Sequence, residues 1–208
     1  MAGLLLNFRN TMILSIAIAI LFVVGYGVHA GFGVTFWEAT VRWVHVSFGI
    51  LWIGLLYYFN FVQIRKMPDI PAELKPAISK YIAPEALFWF RYAALATWVA
   101  GIVLALLRSF TKTNFFMETI TLGFYGGYDR AVDISYSMIG VGMWLATIMF
   151  INVWVFIWPN QKIALGLVDA DADAKAKAAR LATLFSRTNT LLSLPMLTTM
   201  AMNQTLFG

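Results

Sequence analysis

The strongest constraint on this chain is a set of long apolar runs that carry almost no charge. They are Met12 to Val28, Glu38 to Gln63, Glu85 to Leu107, Val132 to Trp158 and Thr188 to Leu206. A bilayer core of about 30 Å needs about 20 apolar residues per helix, so each run is of spanning length. The 208 residues are 61% hydrophobic and 12% charged, with a mean hydropathy of +0.76. A soluble domain of this size has no interior large enough to hide that surface. The runs are continuous and do not alternate, which argues against a β-barrel. The expectation is one all-α, polytopic transmembrane bundle over residues 1–208. Its spans fall at about 11–29, 39–63, 85–107, 132–158 and 188–206, with a surface helix at about 169–187.

Proline, glycine and charge punctuate the runs. Arg9 precedes the first, and Val28-His29-Ala30 loosely resembles a small-residue cleavage site; the segment is nevertheless read as a retained first helix. Glycines 25, 27, 31 and 33 loosen the chain after it. Pro68, Pro71 and Pro76, with Lys75 and Lys80, read as a polar loop holding one short surface helix. Pro84 suits a helix start. Arg108 to Ala131 reads as a long connection rich in aromatics, with a turn at Gly126-Gly127. Pro159 reads as a helix stop. Asp169, Asp171 and Asp173 come early and Lys175, Lys177 and Arg180 late in an amphipathic helix, which complements its dipole. Pro195 marks a kink in the last run.

Most lysines and arginines collect on one side if the N-terminus is cytoplasmic: Arg9, Arg65, Lys66, Lys75, Lys80, Lys162, Lys175, Lys177, Arg180 and Arg187. Arg42, Arg108, Lys112 and Arg130 fall on the other. The positive-inside rule then predicts a cytoplasmic N-terminus and a periplasmic C-terminus. The net charge of +5 is accounted for by topology, and no basic patch with interleaved stacking aromatics suggests nucleic acid. The chain has no cysteine, which excludes disulfides, thiolate-bound iron–sulfur clusters and covalently attached c-type haem. No Walker loop or dinucleotide fingerprint is present.

One stretch looks like more than an anchor. On a helix, Glu38, Arg42, His45, Gly49, Trp52, Leu56 and Asn60 fall on one stripe. Lipid rejects the charged members, so the stripe is expected to face protein or a polar cavity. His29 and His45 are the only histidines. Both lie towards the same side, and together they could ligate one b-type haem or share a copper ion. The competing reading makes His29 an interfacial residue and His45 a helix-to-helix hydrogen bond. Gly49, one turn from His45, leaves room for something flat. Arg91, within the third run, either holds an anion such as a haem propionate, or snorkels or pairs with Glu85. Asn60, Asn152 and Asn189 read as helix glue, and the Trp52/Gly54, Trp98/Gly101 and Gly142/Trp144 pairs read as packing.

Four segments resemble a known family. Arg42-Trp43-Val44-His45 followed by Gly49-Ile50-Leu51-Trp52-Ile53-Gly54 and Tyr58-Phe59 is similar to the membrane domain of bacterial urate hydroxylases of the PuuD type, the urate oxidase N-terminal family. So are Glu85-Ala86-Leu87-Phe88-Trp89-Phe90-Arg91-Tyr92, Trp158-Pro159-Asn160-Gln161-Lys162, and Ser186-Arg187-Thr188-Asn189-Thr190 with Ser193-Leu194-Pro195-Met196-Leu197. A looser similarity runs to HemJ-type protoporphyrinogen oxidases, which also place a histidine early in such a helix. The resemblance implies a helical membrane domain linked to electron transfer, with His45 its best-supported functional residue. In the family, urate is hydroxylated and electrons pass to a C-terminal cytochrome c domain. This chain carries no Cys-x-x-Cys-His, so that cytochrome is expected as a separate protein. The family often has a histidine before the Asn189-Thr190 pair and another beyond Pro195-Met196-Leu197. Here those places hold Thr188 and Asn203-Gln204-Thr205.

The leading expectation is a subunit of a larger inner-membrane redox complex, surrounded by lipid and other membrane subunits. It would bind one b-type haem through His45, with His29 as a weaker second ligand, Arg42 on a propionate and Gly49 giving room. Two alternatives stand beside it. One is a purely structural accessory subunit without cofactor. The other is a stand-alone membrane oxidase of a purine or tetrapyrrole.

Overall fold

The computed structural model describes residues 2–125 and 133–207; the turn expected at Gly126-Gly127, and Arg130, lie outside them. The described residues are helical with no strand. We label the main helices α1 (Phe8–Ala30), α2 (Val34–Asp69), α3 (Lys75–Arg108), α4 (Phe115–Ile120), α5 (Ile134–Ala164) and α6 (Ala172–Phe207). Helices α1, α2, α3 and α5 are long and apolar enough to cross a membrane.

The bundle is two packed pairs. Helix α2 lies along α3, and α6 lies along α5; contacts of α6 with α2 and of α5 with α3 join the pairs. Helix α1 stands apart. It is apolar all round, and only 6% of its most apolar window is buried. Asn7 caps it by accepting the Asn10 N–H at 3.2 Å, as an N-cap should. Gly31, at φ 84°, ends it in a conformation that favours glycine.

The packed core fills one half of the bundle. Leu56 and Phe59 of α2 meet Leu87, Phe90, Ala93 and Ala94 of α3 and Met149, Val153 and Ile157 of α5. Small residues allow the closest helix approaches, as in membrane bundles generally. A Cβ at Gly142 would run into Thr199 of α6, and one at Gly140 into the Thr119 carbonyl of α4.

Two elements differ from the sequence expectation. Helix α3 starts at Lys75, not near Glu85, and α5 continues past Pro159 to Ala164. The reason is the same in both. A π-helical turn, Ile78–Ile82 or Asn152–Ile157, lies just before the proline. Proline lacks an N–H and its ring collides with the carbonyl four residues back. In the wider turn the N–H of Ala83 reaches Ile78, and that of Trp158 reaches Val153, so the helix passes the proline unbroken. The surface helix runs on into the last span as one continuous helix, α6, with Pro195 inside it. Asp171 caps α6 by accepting the Ala174 N–H at 2.7 Å.

Helix α6 is not among the four helices of membrane-spanning hydropathy, and its residue pattern shows why. Ser186, Asn189, Ser193, Thr199 and Asn203 are buried, while Leu184, Leu191, Leu194 and Leu206 are exposed. Its polar stripe faces protein and its apolar stripe faces outward. Replacing Gly140 with valine is expected to cost roughly 1–3 kcal/mol, the usual penalty of overpacking. Thermal unfolding in detergent would read it as a lowered midpoint, and an unchanged midpoint would show that the α4–α5 approach is not tight.

Candidate functional site

The stripe on α2 faces the bundle interior as expected. Glu38, Trp52 and Leu56 are buried, and Arg42, His45, Gly49 and Asn60 are half-buried. Arg42, His45, Gly49 and Trp52 open onto a cavity of about 630 Å³ in the half of the bundle not filled by the core. It lies between α2, α3, α5 and α6, and its walls include Thr97, Trp98, Gly101, Met143, Met196 and Met200. Its size is within the range of small-molecule and cofactor sites.

His45 is held by two residues of α3. Its Nδ1 lies 2.8 Å from the Thr97 carbonyl oxygen. A carbonyl only accepts, so the proton of the neutral imidazole sits on Nδ1 and Nε2 keeps a lone pair. Gly101 makes this approach possible: a Cβ there would stand 3.0 Å from His45 Cε1 and 3.1 Å from Nδ1. A Cβ at Gly49, by contrast, would make only an ordinary contact with Thr97, at 3.7 Å.

Charge gathers at the cavity's end, where α2 begins and α3 and α6 finish. Glu38 binds Arg42 one turn on and lies 3.6 Å from Arg108 Nη1. Thr111 donates to its other oxygen at 3.3 Å. Arg108 also donates to Gln204 at 3.3 Å, and its guanidinium stands 5.0 Å from the Phe115 ring centre. Both Glu38 and Arg108 are buried. Such a pair persists out of water only when further hydrogen bonds support it.

The remaining expected site residues lie elsewhere. His29 is exposed at the end of α1 and is not among the cavity's lining residues. Arg91 is buried in the other half of the bundle. Its guanidinium lies flat on Trp158, 3.4 Å from the ring centre, and Glu85 instead accepts from Trp89. The asparagines join helices: Asn60 donates to Ser186 at 2.8 Å, and Asn152 to Asn189 at 2.8 Å. Sequence reasoning passed over Thr97, read Gly101 as packing beside Trp98 and counted Arg108 as topological charge. The Thr97/Gly101 spacing of one turn was the available signal.

Fold and cavity define a helical protein with membrane-length helices and an internal, imidazole-bearing site. Residues 127–206 match the family model described as urate oxidase N-terminal. This is the resemblance read from the sequence, and the match covers its third and fourth segments, Trp158 to Lys162 and Ser186 to Leu197. The segments around His45 and Arg91 lie outside it. No curated protein and no solved structure matches the chain. Among the described residues, no three His, Asp or Glu side chains gather as a metal site.

If Gly101 sets the His45 tautomer, Gly101→Val will push the ring off the Thr97 carbonyl. Nitrogen NMR of ¹⁵N-histidine-labelled protein should show a neutral Nδ1–H imidazole in the parent and its loss in the variant. An identical spectrum would remove Gly101 from the site.

Proposed function

We propose that this protein is an integral subunit of an inner-membrane electron-transfer complex, and that its cavity holds one b-type haem. The observation that carries the reading is the fixed His45 ring: its Nδ1 is engaged by Thr97, and the residue lines a large, mainly apolar cavity with its second nitrogen free to act as a ligand. That arrangement is the one imidazole ligands use, with the second nitrogen oriented by a hydrogen bond. The residues fit the group. The walls are apolar, Gly49 and Gly101 keep two of them low, and Arg42 at the rim can balance a propionate. Met143 of α5 and Met196 and Met200 of α6 also line the cavity, and a thioether is a second ligand type that haem proteins use. Bound haem would supply one-electron exchange. The chain's part is to hold the ligand nitrogen, balance carboxylate charge and exclude water.

Further support comes from the two helices that the bundle does not finish. Helix α1 is apolar on every side and barely packed, so lipid or a partner helix must cover it. The outward leucines of α6 make it a fifth span despite its low hydropathy. The N-terminus is then cytoplasmic and the His45 end of the bundle periplasmic, where a c-type cytochrome could take electrons. Copper at His45 and a cofactor-free structural subunit are the rival readings. The same unpacked α1 surface favours the second of them.

A reduced-minus-oxidised spectrum of protein purified in mild detergent, with metal analysis, decides between these. The expected result is a b-type haem signal at about one equivalent, lost in His45→Ala. A spectrum unchanged in His45→Ala sinks the ligand assignment. No chromophore with no metal leaves the structural subunit.

A further inference from the structure

A second, smaller pocket of about 240 Å³ adjoins the main cavity at its charged end. It is lined by Thr35, Glu38, Arg42, Arg108, Thr111, Lys112 and Gln204. Arg42, Arg108 and Gln204 line both spaces, so the two are continuous in their walls. Among the described residues the pocket gathers three cations and one carboxylate. Glu38 engages Arg42 and Arg108, and Lys112 donates only to the Phe207 carbonyl, at 2.7 Å. Arg108 is more than nine-tenths buried and its Nε has no hydrogen-bond partner. A buried guanidinium with a spare donor, beside a lysine and another arginine, is short of negative charge.

We propose that this vestibule binds the carboxylate of an amphiphilic ligand whose apolar body lies in the main cavity. Arg108 supplies the buried donor, and Lys112 and Arg42 supply charge from the rim. Gln204 and the Thr35 and Thr111 hydroxyls complete a polar collar, as carboxylate sites require. Glu38 already engages both arginines, so it competes with the ligand's carboxylate for them. The inference rests on the cavity being the binding site, but not on His45 ligating a metal. The carboxylate has two sources of the same chemistry: a tetrapyrrole side chain, or a fatty acid from the surrounding lipid.

Tryptophan quenching tests this, because Trp52 and Trp98 stand on the cavity wall. The probes are metal-free protoporphyrin IX and a brominated stearic acid, each beside its methyl ester, titrated into detergent-purified protein. At least one acid is expected to bind about tenfold tighter than its ester, one charge-assisted contact's worth. That preference should fall in Arg108→Gln and in Lys112→Gln, and rise in Glu38→Gln. Lys112→Gln, at the half-buried rim, carries the test if the Arg108 variant does not accumulate. A preference only for the porphyrin acid, or only for the fatty acid, names the source. Equal binding of acid and ester, no binding of any probe, or a preference untouched in the variants overturns the proposal. Metal-free porphyrin needs no axial ligand, so this result stands or falls apart from the haem spectrum.

Discussion

The buried carboxylate of Glu38 is the interaction on which the charged end of the bundle turns. It sits on α2, takes Arg42 from its own helix and Arg108 from the end of α3, and receives Thr111 from the segment beyond. Arg108 then reaches Gln204 on α6. One acid therefore gathers three parts of the chain where the cavity ends. In a bilayer-facing protein this geometry is forced: an unpaired charge there is costly, so each must find its partner inside. The consequence is that the residues carrying the charge at the cavity's end also dock the helices.

The same constraint sorts α6. Its polar residues turn inward, where Ser193 shares a 2.9 Å hydrogen bond with Tyr57 and Asn189 donates to the Met149 carbonyl at 3.0 Å. Its leucines turn outward. Average hydropathy does not register such a pattern because it ignores which side each residue faces. The amphipathic pattern is inverted relative to a soluble helix.

Much of this was legible in the sequence, for identifiable reasons. Helical period alone placed Glu38, Arg42, His45, Gly49 and Trp52 on one face, and lipid's intolerance of charge predicted that the face would turn inward. The apolar runs gave the long helices. What was missed depends on information that spacing does not carry. Pro84 and Pro159 read as helix ends because a π-helical turn leaves no mark in composition. His29 and His45 looked like a pair because both fall towards one side of the bundle, yet sidedness does not bring two residues onto one cavity. Arg91 reads either as an anion ligand or as a snorkelling or Glu85-paired residue because its partner, the Trp158 face, is far away in sequence. Arg108 and Lys112 counted as topological charge, since only the fold shows them converging with Arg42 and Glu38.

The two halves of the bundle differ in how their helices are held apart. Around the core, Leu56, Phe59, Phe90, Met149 and Val153 fill the space. Around the cavity the walls run through Gly49, Gly54, Thr97, Gly101, Ala105, Ala146 and Ala201. Small wall residues on converging helices would ordinarily draw the backbones together. Here Trp52 and Trp98 stand among them; Trp98 donates to Thr147 across the α3–α5 seam at 3.1 Å and stacks on Phe150, with ring centres 4.8 Å apart. Those rings prop the helix pairs open while the small residues set the space between. The cavity is therefore built by alternation of bulk, not left over from loose packing. Its shape depends on α5 and α6, the helices within the family-matched stretch, while its imidazole comes from α2. A site divided in this way ties the two helix pairs together, because neither pair alone encloses it.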